Sequence, residues 1–370
     1  MKLIILRNNL KEGLSAVEKA VSENNNLPIL KNVLLKTDNN QIRISTTNLD
    51  LAISKSILGK IIEEGGITVP FSTLYSIVNN SDSERISLEQ DNNTLILKTD
   101  NYEAKIQGLN EEEFPIIPKI ENSKNYLEIE PAILKNSILK VLSAAQISEI
   151  RPEISGILLD FQLTILKLAA TDSFRLAEKT LASNQFGANF NRGFKIIIPL
   201  KTTQEILRVF KENQSISIFV DSNQILLKTN DLELISRLID GVYPDYEQII
   251  PKDIETEIQV EREPLINAVK LVSSFSGKNN DIKLKVKDKK ILEIYSASQY
   301  LGENHYLVPA KVNGPDFKEV AFNWRYLMDG LKALDSEKII FGLNGENKPA
   351  ILKSPEDVSY FYILMPIKNT

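Results

Sequence analysis

Side chains able to do chemistry are sparse in this chain. No cysteine is present, which removes thiolate nucleophiles, thiolate metal sites and disulfides, and suits a reducing compartment. A single histidine, His305, leaves little room for a histidine triad or metal site and reads as a surface or strand residue. Carboxylates are plentiful, but no spacing picks out two of them for acid–base work. Asp172 and Arg175 lie three residues apart within Leu168-Ala169-Ala170-Thr171-Asp172-Ser173-Phe174-Arg175-Leu176-Ala177, a spacing a local surface ion pair explains equally well. Turn formers Thr171, Asp172 and Ser173 separate two apolar runs, so the stretch reads as a hairpin from which a Phe and an Arg leave together.

The familiar catalytic patterns are missing. Ser276-Gly277-Lys278-Asn279 lacks the leading glycine and spacing of a phosphate-binding loop. The acidic run from Asp221 to Glu233 lacks the glycine and closing glutamate spacing of a calcium loop. No G-x-G-x-x-G, H-E-x-x-H or G-x-S-x-G occurs. The expectation is therefore no catalytic residues, no metal and no cofactor. A cryptic carboxylate enzyme has no positive support.

The elements that must position these residues follow from a repeat. The chain has 370 residues, enough for two or three domains, with 42% hydrophobic and 25% charged residues. No apolar run approaches the ~20 residues of a membrane span. Met1 to Arg7 reads as a first strand rather than a signal peptide, so a cytoplasmic protein with no membrane partner is expected. Four kinds of segment recur in the same order at a period of roughly 125 residues. The first is an amphipathic helix, at Leu10 to Ser22, Ala132 to Ile147 and Arg262 to Ser276, with one apolar stripe each. The second is a pair of alternating strands, beginning at Val33, Ile157 and Ile282. The third is a strand entering a second helix at Pro70, Pro199 and Asn323, where Asn323 can cap. The fourth is a hairpin running on to Pro115, Pro244 and Pro366.

This is an α+β chain of three repeated domains, each with two helices plus antiparallel sheets, bounded at 1–122, 123–252 and 253–370. Net charge is −5, so any polyanion must meet a local patch. The six helix windows sum to about +5, leaving the sheets acidic. Six equivalent helices could offer a mildly basic surface to a phosphate backbone, by contacts that are sequence-independent and salt-sensitive.

From end to end the chain resembles the bacterial sliding clamps, the beta subunits of DNA polymerase III. The resemblance rests on Leu27-Pro28-Ile29-Leu30 with Asn32, and on Ala170-Thr171-Asp172 with Arg175-Leu176-Ala177. Tyr243-Pro244-Asp245-Tyr246 with Pro251, Phe322-Asn323 with Tyr326, and Tyr362 to Pro366 complete it. It implies a DNA-clamp fold: sheets outside, helices inside, and two chains joined head to tail in a six-domain ring around double-stranded DNA. It implies a processivity factor without its own catalytic site, partnered by itself as a homodimer, the DNA polymerase III catalytic subunit and a clamp loader. Other replication and repair proteins would bind through a short hydrophobic clamp-binding motif. The alternative is a repeat scaffold that binds peptides without DNA.

Carried onto this chain, the resemblance implies a partner-peptide pocket with three walls. Ile154, Thr171, Ser173, Phe174, Arg175 and Leu176 form one, and Pro244, Gln248 and Ile249 another. The third is Asn323, Tyr326, Pro349, Ile363, Leu364, Met365 and Pro366. DNA-facing positions would be Lys11, Lys19, Lys135, Lys140, Arg151, Lys201, Arg208, Lys270 and Arg325. The dimer interface would set Ala104 and Ile106 against Ser274 and Phe275. The chain departs from the family pattern at Ser173-Phe174, often Gly-His, and at Gln248, often basic, making the pocket more apolar. Asn24, Asn25 and Asn26 stand where a basic residue is expected, Pro152 and Glu153 where aromatics are, and Ser274 replaces an apolar residue.

Overall fold

In a computed structural model the described residues are 1–22, 26–38, 40–120, 124–212, 214–317 and 319–368. The expected boundary at 122/123, Asn24, Asn25 and the last two residues lie outside them. The backbone divides into two compact units. One holds Met1–Pro131, Gly187–Phe190 and Gln204–Leu238; the other holds Ala132–Phe186, Asn191–Thr203 and Ile239–Thr370. The division runs through the middle repeat because its two sheets belong to different units.

In the first unit a five-stranded sheet runs Lys60–Glu63, Lys2–Leu6, Arg85–Asp91, Thr94–Lys98, Glu103–Gln107. A second, larger sheet passes without a break from the first repeat into the middle one. Its strands Gly65–Pro70, Asn32–Asp38, Gln41–Thr47 and Leu51–Ile57 are followed by Leu232–Arg237, Gln224–Lys228, Ile216–Val220 and Leu127–Ile129. The crossing point is the antiparallel pair of Leu51–Ile57 with Leu232–Arg237, in the register Leu51 to Ser236, Ile53 to Leu234 and Lys55 to Leu232. Alternating apolar residues supply the core side: Ile42, Ile44, Ile53, Leu88, Leu97 and Leu234 are all buried.

The second unit repeats the arrangement. Phe194–Pro199, Gly156–Phe161, Ile165–Thr171 and Arg175–Ala182 lead across a second seam into Tyr360–Leu364, Ala350–Lys353, Lys338–Leu343 and Thr256–Glu261. Here Arg175 pairs with Leu364, Ala177 with Tyr362 and Lys179 with Tyr360. Gly302–Asn313, Ile291–Ser298, Asp281–Asp288 and Val320–Asn323 complete the sheet.

Among the described residues the α-helices are α1 (Arg7–Val17), α2 (Phe71–Asn80), α3 (Pro131–Leu142), α4 (Leu200–Val209), α5 (Arg262–Ser273) and α6 (Trp324–Ala333). Within the first unit α1 packs on α2, and within the second α5 packs on α6. The expected apolar stripes are the buried faces: Leu10, Leu14 and Val17 in α1, and Leu265, Val269 and Val272 in α5. The first helix begins three residues earlier than its apolar stripe suggested and ends in a 3-10 turn, Glu18–Ala20. α3 stops at Leu142, five residues short of the expected Ile147. Asn323 caps α6, its side-chain oxygen accepting from Arg325 N at 3.0 Å.

Candidate functional site

The turn at Asp172-Ser173-Phe174 is built by side chains standing in for backbone. Thr171 Oγ1 donates to Arg175 O at 2.6 Å and accepts from Ser173 N at 3.2 Å. Asp172 Oδ1 accepts from Phe174 N and Arg175 N, both at 3.0 Å. Ser173 takes φ +76°, a conformation costly for a residue with a Cβ, so the turn is held against local strain.

That construction decides where Arg175 and Phe174 go. Arg175 Nε donates to Asp172 Oδ2 at 2.8 Å, and its Nη1 to Asp329 Oδ2 on α6 at 2.6 Å. Its guanidinium lies 4.2 Å from the centre of the Tyr326 ring, also on α6. The side chain of Asp172 is only 1% exposed. The Asp172–Arg175 pair is therefore not the surface pair the spacing suggested. It is a buried joint between the hairpin and α6, and Asp329, which the sequence reading missed, is its third member. The only sequence signal was an acid one turn after Tyr326 in a helix. Phe174 points outward, 59% exposed.

Phe174 O accepts from Met365 N at 2.8 Å, which sets the C-terminal segment along the turn. Ile367 N then donates to Ala321 O at 2.8 Å, beside the Asn323 cap. Ile363 and Leu364 are 1% exposed and belong to the core strand, while Met365 is half-buried. Ile154 and Leu176 are likewise buried. Pro349 is half-buried, ahead of the strand that pairs with Ile363 and Leu364.

The remaining wall is the segment after Leu238. Tyr243 and Tyr246 pack on Leu158, Ala169, Leu176, Ile197, Ile351 and Ile363. Tyr246 Oη donates to the buried Glu178 Oε2 at 2.6 Å. Burial first, then the Glu178 carboxylate, pushes the Tyr246 phenol well above its ordinary value, so it stays a donor. Lys167 Nζ bridges Glu178 and Glu247 at 3.7 and 2.9 Å. Pro244 is half-buried, while Gln248 and Ile249 are exposed on the 3-10 turn Tyr246–Ile249.

The nine cations expected to face DNA divide into groups. Lys201, Lys270 and Arg325 are exposed on α4, α5 and α6, and Lys11 and Lys135 are half-buried on α1 and α3. Lys19 is held by Glu18 at 3.2 Å. Arg151 is bonded to Glu153 Oε1 and Ser173 Oγ, at 3.1 and 3.0 Å. Two others meet the end of a neighbouring helix. Lys140 is buried, its Nζ donating to Ala333 O at the end of α6 and paired with Asp335 at 2.7 Å. Arg208 donates to Ser15 O and Ala16 O, at 2.7 and 3.0 Å, at the end of α1. Each cation meets unpaired carbonyls at a helix C-terminus, where a positive charge is favoured.

Ala104 and Ile106 lie on Glu103–Gln107, the last strand of the five-stranded sheet, with Ile106 buried. Ser274 and Phe275 follow α5, where Ser274 Oγ donates to Leu271 O at 2.7 Å. Among the described residues no group of three His, Cys, Asp or Glu could hold a metal, and no helix is long and apolar enough to cross a membrane.

Models of the DNA polymerase III beta subunit match in three consecutive blocks: its N-terminal domain over residues 1–118, its central domain over 128–245 and its C-terminal domain over 247–368. The beta sliding clamp of Synechococcus elongatus is 30% identical over 377 residues, covering 100% of this chain and 99% of the relative. That of Bacillus subtilis is 28% identical over 382 residues, covering both completely. The crystal structure of the Bacillus subtilis DNA polymerase sliding clamp superposes with a TM-score of 0.94 at 26% identity, covering 100% of each chain. A Pseudomonas aeruginosa sliding clamp bound to griselimycin gives 0.93 at 25% identity, also over 100% of each.

Proposed function

The chain belongs to the DNA polymerase III beta-subunit family, the bacterial sliding clamps, and on that premise we propose how it works. Two copies close head to tail into a ring around duplex DNA, slide freely, and tether the replicative polymerase for processive synthesis. The single observation that carries this reading is the match of all three domains in order along the whole chain.

The sheet architecture supports the assembly. In the first unit the strand after the turn, Leu51–Ile57, takes as its neighbour the last hairpin strand of the next repeat, Leu232–Arg237. In the second unit Arg175–Ala182 takes Tyr360–Leu364 in the same way. The third repeat's counterpart is Gly302–Asn313, paired from Gly302 to Pro309 only with Ile291–Ser298 among the described residues. Among the described residues the first repeat's last hairpin strand, Glu103–Gln107, has a neighbour on one side only. A second copy satisfies both edges by the rule the chain already uses twice. The contact is heterologous, and closure turns it into a ring. We place the domains at 1–122, 123–252 and 253–370.

The exposed helix cations then meet phosphate weakly and without sequence preference, while topology retains the protein. No turnover is needed. The Thr171–Leu176 turn, Pro244 to Ile249 and the segment through Met365 and Pro366 form the groove for the short hydrophobic motif of polymerase, clamp loader and repair partners. The test is primer extension on a primed circular template with polymerase and clamp loader. Adding this protein lengthens products at least tenfold at limiting polymerase; unchanged product lengths refute the assignment.

A further inference from the structure

The turn of the first repeat makes the same Thr and Asx side-chain bonds to its backbone as the Thr171–Arg175 turn. Thr47 Oγ1 donates to Leu51 O at 3.1 Å and accepts from Leu49 N at 3.0 Å. Asn48 Oδ1 accepts from Asp50 N and Leu51 N, at 3.0 and 2.8 Å. Leu49 sits at φ +76°, the value found at Ser173. Arg237 N donates to Asp50 O at 2.8 Å, as Met365 N does to Phe174 O. The middle repeat is thus not alone in facing the next repeat with this turn.

The two seams differ in what lies over them. At the second, Tyr243-Pro244 is followed by Tyr246, which fills the face and is pinned to Glu178. At the first, Phe114-Pro115 is followed by Ile116, Ile117 and Pro118, and Ile117 stands where Tyr246 does. Ile117 packs with Ile120 on Ala52 and Ile235 and has no polar partner like that of Tyr246, and a groove of about 680 Å³ is lined by this segment and the sheet. That volume suits a peptide or small ligand. Its floor is apolar, with Leu34, Ala52, Phe219, Leu226 and Ile235.

We propose that this groove is a second docking site on the chain, for a short extended peptide carrying hydrophobic side chains and carboxylates. Charge complementarity selects that occupant. Among the described residues, Lys36, Arg43, Lys119 and Lys228 line the groove with Glu111 and Glu233. Glu111 is already paired with Lys36 at 2.9 Å, and Glu233 with both Arg43 and Lys228. The surplus positive charge is left for the ligand. The apolar floor favours a peptide over a phosphate backbone, which would leave it uncovered. The choice of a peptide rests on the reading of the second seam as the partner groove.

The test is titration of the full-length chain with a fluorescein-labelled Asp-Ile-Leu-Asp-Phe-Leu peptide, with isoleucine methyl NMR. Two peptides per chain are expected, with shifts at Ile117 and Ile235. Lys119→Glu, on an exposed residue, and Leu226→Ala should each weaken the first-seam site at least tenfold with unchanged thermal unfolding. Phe174→Ala with Met365→Ala should remove only the other site. One peptide per chain, with Ile117 and Ile235 silent, overturns this proposal and leaves the second-seam reading standing. Binding at the first seam unaffected by either first-seam variant, or displaced by a duplex oligonucleotide, also overturns it. Indifference of all binding to the Phe174 and Met365 changes overturns the second-seam reading instead.

Discussion

A cation's role in this molecule is set by what lies within reach of its head group. Arg175 is spent on Asp172, Asp329 and Tyr326, so it holds the turn against α6 and leaves Phe174 and Met365 to offer apolar surface. Leu364, by contrast, is a core residue at 1% exposure. Truncating it would cost about 2–5 kcal/mol of stability, so Met365 is the cleaner probe of the groove. The same logic separates Lys140 from Lys270. Lys140→Ala should lower the melting temperature but leave the salt dependence of DNA binding unchanged. Lys270→Ala should leave stability unchanged and reduce the slope of log K against log salt by about 0.9, the loss of one phosphate contact. Equal slopes for the two variants would return Lys140 to the DNA face.

At the scale of elements, the two seams decide how the repeats join. The first is braced by ion pairs of Lys55 with Asp231 and of Arg43 and Lys228 with Glu233. Burial alone would raise both carboxyls, but their cations and hydrogen bonds hold them below their ordinary values of 3.8 and 4.5. Carboxyls depressed in the folded state add stability above the unfolded pKa and lose it as pH falls through the folded one. Unfolding of this region should therefore become easier as pH drops below about 4.5. Asp231→Asn with Glu233→Gln should flatten that dependence; an unaltered acid limb would exclude these pairs as its cause. The helices, the strand alternation and the Asn323 cap were legible in the sequence because each is local: a 3.6-residue stripe, a two-residue alternation, a cap beside its helix. The joints were not. Lys140 to Ala333 and Arg208 to Ser15 each span over 190 residues, and nothing in a helix's own pattern tells a solvent lysine from one buried at a neighbour's C-terminus. The place of the Thr47–Leu51 turn at a seam emerged only with the pairing of Leu51–Ile57 to Leu232–Arg237.

In the whole molecule, topology rather than net charge joins an acidic chain to DNA. In the proposed assembly the ring closes through the two strand edges left single among the described residues. Leu307, 46% exposed on Gly302–Asn313, lies on one of them. Leu307→Asp should weaken the dimer at least tenfold, about 1.4 kcal/mol, by sedimentation, with the fold intact by circular dichroism. A dimer of unchanged strength would move the interface elsewhere. The most direct measurement of the central claim is retention on DNA after loading. Loaded onto a nicked circle, the protein should remain through gel filtration at high salt, then be lost when a single cut linearises the circle. Equal retention on circular and linear DNA would contradict encirclement and show that contacts, not topology, hold it there.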